Sequence, residues 1–430
     1  MTTLSPDQQV AADKFMEFIM DEEPGEMVIQ GHAGVGKSFM TTHLLELVEK
    51  SAALIELITS KSNKVNVVLT ASTNKAAAVL EEITGRKTHT IHSILSLKVF
   101  NNKQTGATSL QQAKDFKPIN NTLVIVDEAS MVNSQLLTII RNSCKKCKVL
   151  YIMDSYQLAP IKENYCPVST LVKNKVTLST IHRQATNSPI IQLAEGYRKV
   201  LDGGTFPSIV ADGVAIQRVD GPKLMELVNA EFSTIDHNIY SGKILAWKNE
   251  MVKEYNKHVR ALHTSSVKLE RGEFVTTNKP ILNWAGSVIH PTDSIVQICD
   301  IEAEPVQHMG VLSWLIILGT REVFMPVEPQ TLKVAIAIEK RKVLDHKKKY
   351  GTADWSKYFR LIEGFVDLRP VHASTVHKSQ GSTHDTIFIN LNDIGQNHKP
   401  HEVARLMYVA VTRAASKVIL YGRLGARYGD

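Results

Sequence analysis

Gly31-His32-Ala33-Gly34-Val35-Gly36-Lys37-Ser38 matches the pattern G-x-x-x-x-G-K-[ST] at every fixed position. The apolar run Met27-Val28-Ile29 leads into it and a helix-compatible segment, Phe39 to Lys50, leads out, so the stretch reads as strand, loop and helix. In that context the glycines let successive backbone N–H groups curl around phosphate oxygens, and the helix N-terminus adds its positive dipole. Gly31, Ala33, Gly34, Val35, Gly36, Lys37, Ser38 and Phe39 then form the cradle. Lys37 is expected to reach the β- and γ-phosphates, and Ser38 to offer a hydroxyl to Mg²⁺. The predicted ligand is ATP or GTP, and the sequence around the loop has to say what the nucleotide drives.

Downstream, Leu123-Val124-Ile125-Val126-Asp127-Glu128-Ala129-Ser130 is a buried strand that ends in two carboxylates. Following a phosphate loop in the same domain, Asp127 is expected to hold Mg²⁺ and Glu128 to polarise the attacking water. A further strand, Val149-Leu150-Tyr151-Ile152-Met153, delivers Asp154-Ser155-Tyr156-Gln157, and Gln157 is placed to sense the γ-phosphate. Arg183, in Leu178-Ser179-Thr180-Ile181-His182-Arg183-Gln184, offers a cation to the same phosphate.

Composition sets the frame. The chain has 430 residues, too many for one ordinary core, so two to four domains are expected. Hydrophobic content of 43% and charged content of 22% fit a globular protein. No apolar run approaches the roughly 20 residues of a membrane span. The opening residues lack a signal-peptide pattern, which predicts a cytoplasmic protein. A net charge of +7 and a pI near 9.0 are compatible with a nucleic-acid partner without requiring one. Cys144-Lys145-Lys146-Cys147 has the spacing of half a zinc site, but no second pair stands at a matching distance, so reduced structural cysteines are expected.

Along the chain, Ser5 reads as a helix N-cap with Pro6 at the first helical position, and Val10, Ala11, Phe15 and Phe18 share a face. The amide of Gln8 in that helix donates and accepts at once, which suits an adenine edge; a solvated glutamine is the plainer reading. Asn66-Val67-Val68-Leu69-Thr70-Ala71 is a strand that exits into Ser72-Thr73-Asn74-Lys75, where parallel sheets bind ligands. Thr88-His89-Thr90-Ile91-His92-Ser93 presents hydroxyls and imidazoles suited to a phosphodiester backbone. Residues 95–118 read as a hairpin insert turning at Asn101-Asn102-Lys103-Gln104-Thr105-Gly106, with Phe100 near its tip either packing or standing exposed as a wedge. Composition shifts at Asp202-Gly203-Gly204, which sets a boundary. Short alternating apolar runs within 265–368 predict a small β-barrel, followed by a helix with the cationic stretches Glu339-Lys340-Arg341-Lys342 and Lys347-Lys348-Lys349, read as a solvated face. The α/β pattern returns at Ala373, and no second phosphate loop accompanies it.

Taken together and in order, Thr90-Ile91-His92-Ser93-Ile94-Leu95, Asp127-Glu128-Ala129-Ser130-Met131, Ser374-Thr375-Val376-His377-Lys378-Ser379-Gln380-Gly381 and Tyr408-Val409-Ala410-Val411-Thr412-Arg413 resemble the motifs of the RecD-like, 5′-to-3′ subgroup of the superfamily-1 helicases. Within that subgroup the likeness is to the T-even bacteriophage members, and it covers nearly the whole chain. It implies an α/β fold of two RecA-like P-loop NTPase-type domains, with a β-hairpin insert and an SH3-like β-barrel insert. The implied divisions are 1–200, 201–264, 265–368 and 369–430. The resemblance assigns Gln8 to adenine, Lys37 to phosphates, Ser38 and Asp127 to Mg²⁺, Glu128 as catalytic base and Gln157 as γ-phosphate sensor. Arg183 and Arg413 become fingers that neutralise transition-state charge. Thr73, Asn74, His92, His377 and Lys378 fall in single-strand-facing motifs, and the hairpin with Phe100 resembles the family's strand-separating pin. One departure is Met153, where the family usually has glycine.

The implied function is an ATP- and Mg²⁺-dependent DNA helicase that walks 5′ to 3′ on single-stranded DNA as a monomer and opens forked or tailed duplexes. A single-strand DNA-binding protein is an expected partner, and the host cytoplasm the expected location for a phage-encoded enzyme. A nucleic-acid-stimulated ATPase that displaces proteins without separating strands is the alternative. A small-molecule kinase is the reading that the downstream motifs disfavour.

Overall fold

The computed structural model describes residues 4–59, 66–160, 163, 165–181, 188–233, 241–283 and 288–430. The chain divides into two compact units: Met1–Leu95 with Asp115–Tyr255 and Ala373–Asp430, and Ser96–Lys114 with Asn256–His372.

The first unit holds two parallel sheets. One has six strands in the order Lys175–Leu178, Gly25–Gly31, Lys148–Met153, Thr122–Asp127, Asn66–Ala71 and Thr88–Thr90. Its central strands Thr122–Asp127 and Lys148–Met153 are nearly continuous apolar runs, the pattern of parallel strands buried on both faces. Its core gathers Met27, Ile29, Leu69, Ile125 and Ile152 from the strands with Met40, Leu44 and Leu45 from the helix Lys37–Thr59. The entry helix Pro6–Met20 adds Ala11, Phe15 and Phe18 to this core, and starts in a reciprocal capping box between Ser5 and Gln8, with Pro6 in the first turn. Val10 corrects the expected face: it is 48% exposed. Gln8, Ala11, Ala12, Phe15 and Phe18 fill the inward arc, and Val10 lies about 200° around the helix from both Gln8 and Ala12.

The second sheet has the order Ile216–Val219, Ala414–Tyr421, His384–Asn390, Gly242–Ala246 and Ala373–Thr375, again parallel throughout. Its core includes Leu245, Ile387, Ile389, Val418 and Leu420, covered by the helix Pro400–Thr412. The helix Pro189–Leu201 packs on that helix and contributes Ile190, Leu193, Ala194 and Tyr197 to the same core. The shift at Asp202-Gly203-Gly204 follows the end of this helix at Leu201.

The second unit is antiparallel. The strands Ile295–Gln297, Phe274–Thr277 and Leu368–Pro370 form one sheet; Asp300–Ile301, Val311–Leu318, Val306–His308 and Arg321–Pro326 form another. One core, including Val275, Val296, Ile316, Leu318, Val323 and Leu368, joins them. The long helix Pro329–Tyr350 exposes Lys340, Arg341, Lys342, Lys347, Lys348 and Lys349 and packs on the short helix Ser356–Glu363. The hairpin Leu97–Asn101 with Thr108–Gln112 belongs to this unit.

Candidate functional site

The strand Gly25–Gly31 delivers the chain to the loop, and the helix starts at Lys37. Gly34 and Gly36 have φ of 88° and 81°, the left-handed region that the tight turn requires and that side chains resist. Val35 is fully buried and so offers its backbone alone, whereas Ser38 and Phe39 are exposed at the helix start. The Lys37 ammonium donates to the carbonyls of Gly31 (2.8 Å) and His32 (2.9 Å) and lies 3.8 Å from Asp154 Oδ2. Gln8 is only 2% exposed. Its amide nitrogen donates to Val35 O at 3.2 Å, and its amide oxygen accepts from Ser5 N at 3.2 Å. The structure thus places Gln8 against the phosphate loop rather than free in solvent.

Asp127 ends the strand Thr122–Asp127, and Glu128 follows at φ 49°. The Glu128 amide donates to Asp127 Oδ1 at 2.8 Å. Burial and then the neighbouring Glu128 charge push the Asp127 carboxyl up to about 7, against the opposing pull of Lys37. Glu128 Oε2 is buried with no hydrogen-bond partner among the described residues. A part-buried carboxylate pair with one unpartnered oxygen is well served by a cation, and the Ser38 hydroxyl adds an oxygen donor of the kind Mg²⁺ takes. The residues present therefore fit a magnesium nucleotide.

The strand Lys148–Met153 ends at the buried Asp154, with Met153 filling a core position. Gln157 is buried, and its side-chain oxygen accepts from Gln380 Nε2 at 3.3 Å, across to the second sheet's half. Arg405 Nη1 donates to the carbonyls of Ser155 (2.8 Å) and Gln157 (2.6 Å). Tyr408 Oη accepts from Ala33 N at 2.7 Å and donates to Asp154 Oδ2 at 2.7 Å. Arg413 is buried, and its guanidinium donates to Val409 O (3.2 Å), Ser382 O (3.1 Å) and Thr412 Oγ1 (3.2 Å), all in its own half. Arg183 lies outside the described residues.

The strand-facing candidates sit at the carboxyl ends of corresponding strands in the two sheets. In the first, edge strand Thr88–Thr90 runs into a short helix whose N-cap Thr90 accepts from Ser93 N. In the second, edge strand Ala373–Thr375 runs into a 3₁₀ turn whose N-cap Thr375 accepts from Lys378 N. Thr90-Ile91-His92-Ser93 and Thr375-Val376-His377-Lys378 are thus the same capped turn built twice, which makes His92 and His377 counterparts. Burial lowers both imidazoles below their ordinary value, at His377 against the charge of Glu402, so both are neutral at pH 7. Thr73 spends its hydroxyl capping the helix Asn74–Thr84, while Asn74 and Lys378 are exposed. A Cβ built on Gly381, just past the second turn, would be 3.6 Å from Ala76 Cβ in the helix that Thr73 caps. Phe100, 48% exposed on the hairpin, belongs to the other unit.

Tyr408, Asp154, Arg405, Gln380 and Asp7 take part in this site although sequence reasoning gave them no role. Asp7 Oδ2 accepts from Ser179 N (2.6 Å) and Thr180 N (2.8 Å), tying the entry helix to the end of the strand Lys175–Leu178.

Residues 3–202 match the model of the AAA domain, and residues 370–421 match that of the UvrD-like helicase C-terminal domain. The chain is 24% identical over 429 residues to the ATP-dependent DNA helicase dda of Enterobacteria phage T4, covering 91% of this chain and 93% of that one. It is 28% identical over 183 residues to the ATP-dependent RecD2 DNA helicase of Deinococcus radiodurans, covering 41% of this chain and 22% of that one. Among solved structures, the Pif1 helicase from Bacteroides in complex with ADP-AlF3 and ssDNA aligns with a TM-score of 0.50 at 16% identity, over 99% of this chain and 94% of that one. The shared fold is the pair of RecA-like sheets.

Proposed function

We infer that this chain, which belongs to superfamily 1 of the helicases, hydrolyses ATP to move 5′ to 3′ along single-stranded DNA and to separate duplex ahead of it. The observation that carries the reading is the convergence of Lys37, the part-buried pair Asp127 and Glu128, and Gln157 on one phosphate loop, with Gln157 bonded across to Gln380 of the second RecA-like half. A site so divided can change its chemistry when the two halves move, which a simple phosphotransferase does not need.

In this reading Lys37 leaves the Gly31 and His32 carbonyls for the phosphates, and the amides from Gly34 to Ser38 cradle them. Gln8 holds the loop from below and lies near the adenine side. Ser38 and Asp127 would hold Mg²⁺, which would neutralise charge on the phosphate oxygens. Glu128 accepts the proton of the attacking water, for which its unpartnered oxygen is ready. Gln157 senses the γ-phosphate and passes its state to Gln380. Arg413 gives up the Ser382 carbonyl to neutralise the transition state, a role it shares with Arg183.

Translocation follows if the two capped turns grip alternately: Thr73, Asn74 and His92 in the first half, His377 and Lys378 in the second. The hairpin carrying Phe100 separates the strands, and the antiparallel insert, read as an SH3-like barrel, supports it. A base-pair step costs about 1.4 kcal/mol, small beside the free energy of ATP hydrolysis, so coupling rather than energy limits the motor. The enzyme works as a monomer in the cytoplasm on forked or tailed DNA, alongside a single-strand DNA-binding protein. Among the described residues no helix is long and apolar enough to cross a membrane. The test is unwinding of duplexes bearing a 5′ or a 3′ single-stranded tail. Opening of the 5′-tailed substrate alone is expected; opening of the 3′-tailed substrate alone overturns the polarity, and opening of neither, with ATP hydrolysis intact, favours protein displacement.

A further inference from the structure

The helix Pro400–Thr412 meets the nucleotide site through two side chains one turn apart. Arg405 holds the carbonyls of Ser155 and Gln157 (2.8 and 2.6 Å), and Tyr408, 1% exposed, holds Asp154 and Ala33. A phenol has one proton to donate and readily accepts another, and Tyr408 uses both functions at 2.7 Å. Burial and then the Asp154 charge raise its pKa well above the ordinary value, so it stays protonated and donates to Asp154 at any working pH. Asp154 is itself 1% exposed, and its same Oδ2 faces the Lys37 ammonium at 3.8 Å. Its other oxygen, Oδ1, accepts from Tyr156 N at 3.0 Å and fixes the turn that presents Gln157.

One hydroxyl therefore joins three things: the phosphate loop through Ala33, the counter-ion of the phosphate-binding lysine through Asp154, and the helix that ends at Arg413. We propose that Tyr408 is the positioning residue of ATP turnover, fixing Lys37 and the Asp154–Gln157 turn in register with the helix that carries Arg413. The inference rests on the ATPase reading above and adds a residue to it. In this structure Lys37 is shared between the loop carbonyls and Asp154. When Lys37 turns to phosphate, Asp154 still accepts from the Tyr408 hydroxyl and from Tyr156 N. The loop thus exchanges its lysine while its connection to the second half persists. Tyr408 touches neither the phosphates nor the attacking water in this scheme; it acts through Asp154 and Ala33.

Tyr408→Phe keeps the ring and its edge contact with Tyr156, at 6.3 Å between centroids, and removes only the hydroxyl. The loop would remain able to bind ATP but would lose its register with the second half. The expected result is a fall of about tenfold or more in the DNA-stimulated kcat, the size of one lost hydrogen bond to a charged group, with KM for ATP within about threefold. Asp154→Asn takes the charge from the acceptor of the Tyr408 hydroxyl and should give a similar fall. In the double variant the losses should be less than multiplicative, because both variants disturb the shared Tyr408–Asp154 contact. Wild-type kcat in Tyr408→Phe, a loss that appears only in KM, or losses that multiply in the double variant would each overturn the proposal. Should Tyr408→Phe fail to fold, Asp154→Asn with its own kcat and KM decides in the same way. Failure of the ATPase reading shows separately, as a wild-type protein with no hydrolysis to perturb.

Discussion

Trp355 lies flat against the turn of the hairpin at Gly106. A Cβ built on Gly106 would come within 2.4 Å of the indole ring, and the Trp355 amide donates to Lys103 O at 2.7 Å. Trp355 caps the helix Ser356–Glu363 and is buried with Val343 and Phe359. At the far end of that helix Glu363 accepts from Asn101 Nδ2 at 2.5 Å. A two-stranded hairpin is marginal by itself, so this one owes its rigidity to the helix behind it.

Loosening that contact should cost strand separation and spare the ATPase. Gly106→Val places a side chain where the indole lies, at a φ of 74° that valine resists, a strain of about 1–3 kcal/mol. Expected is a severalfold loss of unwinding rate with single-strand-stimulated hydrolysis unchanged. Trp355→Ala, which empties a core position at about 3–5 kcal/mol, should do the same and also lower the Tm. Equal losses of unwinding and hydrolysis in Gly106→Val would show that the hairpin is no pin.

The paired turns make a prediction about salt. His92 and His377 are held neutral by burial, so neither releases a counterion when it meets a phosphate at pH 7. Replacing either by alanine should weaken single-strand binding by about 1 kcal/mol while leaving the slope of log K against log salt as it was. Lys378→Ala, by contrast, should reduce the slope by about 0.7. A reduced slope in the histidine variants would mean that they are charged in the complex.

Asp7 ties acid stability to the site. Burial pushes its carboxyl up, but the Ser5 hydroxyl and the amides of Thr180 and Ser179 outweigh that and hold it well below the usual carboxylate range. A folded pKa below the unfolded one means stability that is fully present above about pH 4 and is lost as pH falls through the folded value. Asp7→Asn should be less stable at pH 7, and the gap in urea midpoint should close as pH drops from 5 towards 2. A gap that stayed constant across this range would remove the carboxylate's charge from the account.

The parts of the site that were legible in the sequence are those whose chemistry is set by neighbours in the chain. Gly34, Gly36, Lys37 and Ser38 sit in one turn, and Asp127 and Glu128 end one strand, so a local pattern reports each of them. Tyr408 was not legible because its partners, Ala33 and Asp154, stand 375 and 254 positions away. Asp7 meets Ser179 over 172 positions for the same reason. Periodicity errs at Val10, an apolar residue on the outward side of the helix, whereas the polar Gln8, through its capping box and its bond to Val35, belongs to the inward arc. The helix Pro189–Leu201 shows the same limit: its apolar stripe is plain in the sequence, but which sheet it covers is decided by the facing helix Pro400–Thr412.

The central claim is that nucleic acid governs hydrolysis at the Lys37 loop. Steady-state ATP hydrolysis, with and without a single-stranded oligonucleotide and across a salt series, tests it most directly, with Lys37→Ala as the control. Stimulation of tenfold or more by single-stranded DNA, weakening as salt rises and absent in Lys37→Ala, is the predicted result. Hydrolysis at one rate whether or not nucleic acid is present would contradict the motor and leave only a nucleotide site.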